Sequence, residues 1–169
     1  MKITKFFILV AVIGTFSFCS SSDDSESLDN VPNGEIVPIE QREITLTGFS
    51  ENQQSGESQK WWTHVVTKVV LSGPDECGEN QTINNQGYFA FYTNGGLYYK
   101  SSSSSSPISA GSWEWANSNK TSILVSNQSG EQDFSVTYLN DSNVVYGSVQ
   151  SQGPCSATTY EQFNNPFFE

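Results

Sequence analysis

Apolar and polar positions alternate in short runs through most of the chain. Ile44-Thr-Leu-Thr-Gly-Phe49 repeats with a period of two, the signature of a half-buried strand. Trp61 to Leu71 (WWTHVVTKVVL) is more ambiguous, because its apolar pairs also recur at helical spacing. Val and Thr dominate it, and their branched side chains lose less freedom in an extended chain. It therefore reads as a strand, ended by the Gly73-Pro74-Asp75 turn. Tyr88–Tyr92 and Leu97–Tyr99 flank Asn94-Gly95, two residues that accept positive φ, so they read as a hairpin. The six serines of Ser101–Ser106 have nothing to bury and read as an exposed loop. Gly111–Trp115 puts Trp113 and Trp115 on one face. Thr121–Ser126 is a further strand. In the next, Phe134, Val136 and Tyr138 alternate with Ser135, Thr137 and Leu139. Val144–Val149 follows, and a short final strand falls within 157–163.

The pattern predicts an all-β domain of eight or nine short strands, with turn signals every ~8–12 residues. Consecutive hairpins favour an antiparallel meander. Such a meander escapes its exposed edges by closing into a small up-and-down barrel of about eight strands. A β-sandwich is the alternative that hairpin counting leaves open.

The N-terminus has a different pattern. Lys2 and Lys5 precede an unbroken apolar run from Phe6 to Val12, which continues toward Phe18. The run is shorter than the ~20 residues a bilayer span needs, and it matches a secretory signal. Cys19 follows directly, then Ser20-Ser21-Ser22-Asp23-Asp24. This arrangement resembles bacterial lipoprotein signals, in which such a Cys becomes lipid-modified and is the new N-terminus. The Ser-Asp-Asp resembles the surface-export signal of Bacteroidota lipoproteins. Phe16 and Phe18 stand where a typical lipobox has Leu and a small residue, and cleavage after Ser17 is the rival reading. The organisation expected is a signal peptide over 1–18, a polar, acidic tether over 19–42 and a β domain over 43–169. The expected location is the outer membrane, lipid-anchored and facing outward, with the membrane itself as a partner.

Charge narrows the function classes. The chain of 169 residues carries seven Lys+Arg against 18 Asp+Glu, a net charge of −11. Loss of Lys2 and Lys5 with the signal makes it more acidic still. A nucleic-acid partner is excluded, since displacing phosphate counterions needs a basic face. The aromatic content, 13% with four Trp, argues against an acidic disordered chain. Cysteine count adds a constraint: if Cys19 carries lipid, Cys77 and Cys155 remain as a pair in an oxidising compartment. Either they are bridged or they are two buried thiols.

The stretch from Trp61 to Val149 carries a familiar order of motifs. Trp61-Trp62 open the first long strand, and Cys77 follows a turn. Phe89 and Phe91 run into Asn94-Gly95, and Gly111, Trp113 and Trp115 form a Gly-x-Trp-x-Trp. The pair Phe134–Leu139 and Val144–Tyr146 ends the series. This order resembles the lipocalin-like domain of small Bacteroidota lipoproteins. The resemblance implies a small antiparallel barrel and small-molecule binding in its mouth, without catalytic residues. The chain departs from lipocalins proper, whose Gly-x-Trp lies in the first strand. Here Gly56 is five residues before Trp61, and the one Gly-x-Trp is mid-domain.

Little in the sequence suggests catalysis. His64 is the single near-neutral base, in a strand among Val and Thr, where it reads as wall or surface. No nucleophile elbow or phosphate loop is present, so neither an enzyme nor a cofactor is expected. Asp75, Glu76 and Glu79 around Cys77 read as a solvated acidic loop. The four N-x-Ser/Thr triplets at Asn80, Asn119, Asn127 and Asn140 read as turns. The aromatic residues are the remaining candidates. Trp62, Phe89, Phe91, Tyr98, Trp113, Trp115 and Tyr138 are the expected ligand-binding set. The first reading is a monomeric surface lipoprotein that binds a small apolar or amphipathic molecule in its barrel. The alternative is a surface accessory module that docks glycan or a partner protein on exposed aromatics.

Overall fold

A computed structural model describes residues 34–49 and 59–169. The signal, Cys19 and most of the tether lie outside the described residues. Nine strands run β1 (Lys60–Ser72), β2 (Gln81–Asn84), β3 (Tyr88–Phe91), β4 (Gly96–Lys100), β5 (Ile108–Trp115), β6 (Ser122–Asn127), β7 (Gly130–Leu139), β8 (Asn143–Gln152) and β9 (Cys155–Phe168). Each of β3 to β8 pairs antiparallel with the next, and β9 pairs along the whole of β1. The ring β1-β3-β4-β5-β6-β7-β8-β9 is thus a closed eight-stranded up-and-down barrel, and closure rules out the sandwich. β2 is the additional strand. It takes the far half of the β1 edge, while β3 takes the near half. Between them the chain bends, and the ladder continues through His64 N–H to Gly87 C=O at 3.0 Å and Asn85 N–H to Val65 C=O at 2.8 Å.

The ambiguous segment at 61–71 is strand, as its β-branched residues required. The last strand is much longer than expected: β9 covers 14 residues, because it spans the full height of β1. The β3–β4 hairpin forms at the expected place by a different turn. Only Gly95 takes positive φ (84°), and its N–H donates to Tyr92 C=O at 2.9 Å. A disulfide of 1.99 Å joins Cys77, in a single 3₁₀ turn at Asp75–Cys77, to Cys155 at the start of β9.

One expectation is overturned. Ile44–Phe49 is not a strand; helix α1 spans Ile39–Thr47. Pro38 stands at its N-cap without a side-chain hydrogen bond, and Gly48, in the left-handed region at φ 85°, ends it, a placement that glycine favours. The expected 42/43 domain boundary therefore falls inside a helix. Upstream, Ile36 bridges in parallel to Leu139, so the fold begins before residue 43.

α1 plugs one end of the barrel by a specific device. The last four carbonyls of a helix have no partner within it. Here Gly48 N–H takes Ile44 C=O at 2.8 Å. The start of β1 supplies the rest: Lys60 Nζ to Thr45 at 2.7 Å, Trp62 Nε1 to Leu46 at 2.8 Å and Gln59 Nε2 to Thr47 at 3.1 Å. Leu46 is thereby driven into the core beside Trp62. Above this floor, Phe91, Trp113, Ile123, Leu139 and Val144 fill the barrel, then Phe89, Leu97, Val125, Phe134, Val136, Tyr146 and Phe163.

Candidate functional site

The expected ligand-binding residues separate into three groups. Trp62 and Phe91 are fully enclosed, and Phe89 and Trp113 nearly so; all four are core. Phe91 and Trp113 meet edge-to-face at 5.4 Å, and Trp113 Nε1 donates to Tyr92 C=O at 3.0 Å. Trp115 is half-buried against Trp113 at 5.7 Å, with its Nε1 unpartnered. Two residues point elsewhere. Tyr98 is half-exposed, its ring 4.6 Å from Tyr92, in register with Ala90 across the β3–β4 ladder. Tyr138 was expected on the same face as Phe134 and Val136, but a bulge between Val136 and Tyr138 reverses the alternation. Leu139 enters the core instead, and the Tyr138 hydroxyl donates to Glu35 Oε2 at 2.5 Å. That bond raises the Tyr138 pKa and lowers that of Glu35.

What the structure brings together is a small, partly open cavity inside the barrel, remote from α1. His64, Phe89, Leu97, Ala110, Val125, Asn127, Phe134, Tyr146, Glu161 and Phe163 line it. Of the expected set only Phe89 is among them. The room for the centre of a water-sized sphere is about 20 Å³, enough for about one water and well short of a drug-sized pocket.

One wall of this cavity is polar. β1 sends His64 inward, and a bulge between His64 and Val66 lets Thr67 share that face. β9 sends Glu161 inward two residues before Phe163. His64 Nε2 lies 2.7 Å from Glu161 Oε2, and Thr67 Oγ1 donates to the same oxygen at 2.6 Å. Asn85, from the bend between β2 and β3, donates from Nδ2 to Thr67 Oγ1 at 2.7 Å. A carboxylate only accepts, so that contact needs a proton on His64 Nε2, while the Asn85 amide nitrogen lies 3.1 Å from the same ring nitrogen. The His64 ring is fixed by Phe163, stacked at 4.6 Å, and Phe89, edge-on at 5.5 Å. Burial, with a smaller effect from the Glu161 charge, pushes the Tyr146 hydroxyl well above its ordinary pKa and keeps it neutral.

The cluster pairs one acid with one imidazole on a shared oxygen, inside apolar walls. The Thr67 hydroxyl gives its proton to Glu161 and accepts one from Asn85. The arrangement is a preorganised acceptor, suited to holding a polar head. The sequence left His64 between wall and surface and did not single out Glu161. The available signal was parity: Glu161 shares an inward face with Phe163, where an acid is out of place. Comparison with protein-family models, with curated proteins and with solved structures gives no match to this chain.

Proposed function

We propose that this chain is a surface lipoprotein, held to the outer membrane by lipid on Cys19, whose barrel binds a small amphipathic molecule without transforming it. The observation behind the binding reading is the cavity. Its walls are mostly apolar, from Phe89, Leu97, Val125, Phe134 and Phe163, and its polar side is the single cluster around Glu161. Such sites orient a ligand with a few placed polar groups and hold it by apolar burial. At about 20 Å³ the resting space admits a polar head, and a larger body requires side chains at the mouth to move. For the glycan reading, Trp62 is fully enclosed while Trp115 is half-buried, so Trp115 is the one of the two left to meet a sugar.

Native mass spectrometry of the purified full-length protein after incubation with cell extract tests binding. An adduct that disappears on denaturation is the expected result. A protein that stays empty, and that displaces no solvatochromic dye from its interior, overturns the reading. The intact mass of the same material tests the anchor. Acyl mass on an N-terminal Cys19 supports it, and an unmodified chain beginning after Ser17 refutes it.

A further inference from the structure

The cavity's polar wall is asymmetric, and the asymmetry specifies the ligand's head. Both protein donors that reach Glu161, His64 Nε2 and Thr67 Oγ1, use the same oxygen, Oε2. Among the described residues nothing donates to Oε1. Glu161 is 9% exposed and lines the cavity. A carboxylate oxygen that no protein group engages is open to a ligand, and a ligand that supplies a donor gains a charge-assisted hydrogen bond.

We propose, building on the barrel-binding reading, that the ligand is a protonated amine with a short apolar body, its ammonium on Glu161 Oε1. Three observations favour a cation over a neutral or anionic head. First, no Lys or Arg lines the cavity. Of the five basic residues described, Arg42 bonds to Val37 C=O, Lys60 to Thr45 C=O, Lys100 to Glu169 and Lys120 to Glu43, and Lys68 is buried elsewhere. His64 Nε2 is already engaged with Glu161. An anionic head would therefore meet the Glu161 carboxylate with no Lys or Arg beside it. Second, Phe89, Phe134, Tyr146 and Phe163 line the same cavity, and aromatic rings attract an ammonium group within about 6 Å of their faces. Third, an ammonium head is about the size of a water molecule, which is what about 20 Å³ accommodates. The chain's net charge of −11 adds long-range attraction for cations.

The test is titration of the full-length protein at pH 7 with 2-phenylethylamine, ethylbenzene and phenylacetate, read by calorimetry and Trp emission. These share one body and differ in the head. The amine is expected to bind at least tenfold tighter than either of the others. Glu161→Gln should remove most of that margin while leaving ethylbenzene affinity within about threefold, with near-UV circular dichroism as the control for folding. Phe134→Ala, which enlarges the cavity, should tighten all three and preserve the order. Should ethylbenzene or phenylacetate match the amine in the unaltered protein, the head assignment is wrong and the barrel-binding reading stands. Should none of the three bind the unaltered protein or Phe134→Ala, the barrel-binding reading falls, and this proposal with it.

Discussion

Trp62→Phe isolates the joint between helix and barrel. Trp62 fills the floor of the barrel, its Nε1 donates to Leu46 C=O at 2.8 Å, and the Lys60 ammonium sits 4.1 Å over its ring. Phenylalanine keeps an aromatic ring there and removes the donor. A buried carbonyl left without a partner costs about 1–3 kcal/mol. The smaller ring gives up about 1–2 kcal/mol more of burial and packing. The weaker ring face also holds Lys60 less well, by some tenths of a kcal/mol. Together the loss is about 3 kcal/mol, or a Tm lower by about 10 °C for a domain of this size. Urea unfolding followed by Trp emission measures the total. Amide hydrogen exchange shows where it falls, and protection in Ile39–Thr47 should drop well beyond that in β6 to β8. A Tm change under 3 °C, or a loss of protection spread evenly over the barrel, would refute the idea that the β1 side chains hold the helix.

Three further outcomes are expected. Cys77→Ser opens a bridge that closes 78 residues, for which the chain-entropy account gives at most about 4.5 kcal/mol; thermal unfolding should start more than about 10 °C lower, and an unchanged transition would mean the bridge does not constrain the unfolded chain. Burial holds the Lys60 amine down at about 8, against a smaller opposing effect from Asp141. Below about pH 8 both states carry its proton, and from there toward about 10.5 only the unfolded chain does, so urea stability should rise with pH over 8 to 9.5 and Lys60→Met should flatten that rise. Above about pH 10 the raised hydroxyls of Tyr92, Tyr99 and Tyr146 act in the opposite direction. Gly87 has φ 142°, and an added Cβ would lie 2.5 Å from the Tyr99 ring, so Gly87→Ala should cost more than about 2 kcal/mol in urea unfolding.

The strands were legible because each buries one side, and a period of two is visible without knowing the partner. Closure was not. It depends on β1 and β9 meeting along their length, a contact between residues about as far apart as Val70 and Thr158. Helix α1 was missed for a local reason. Only its last turn is buried, at Thr45, Leu46 and Thr47, so it shows no apolar stripe. Its signals were punctuation instead: Pro38 before, Gly48 after, and Glu40-Gln-Arg-Glu43 between. Tyr138 failed through a bulge, which alternation alone cannot reveal. The disulfide was readable by count. The pairing of His64 with Glu161 was not, since the two residues are 97 apart in sequence and joined only by barrel closure.

Stability does not account for the polar wall. The barrel already buries two layers of aromatic and branched side chains, and Tyr146, Phe134 and Phe163 pack within 5.2 Å of one another in ring-to-ring sequence. Replacing a buried ion pair by well-packed apolar residues is often neutral or stabilising by about 1–4 kcal/mol. A core of this composition could therefore take apolar residues at 64 and 161 together with little loss, whereas Glu161→Leu alone strands the His64 and Thr67 donors and costs about 3–5 kcal/mol. What an apolar residue could not supply is the open lone pairs of Oε1. Nor could it justify Thr67 and Asn85, which are placed to orient the carboxylate rather than to fill space. A positioned acceptor with one oxygen satisfied and one free is what a binding site needs before its ligand arrives. If stability were the cluster's role, replacing His64 and Glu161 together by Leu would lower the Tm and leave amine binding unchanged. The site reading expects the Tm of that double replacement to hold and amine binding to be lost.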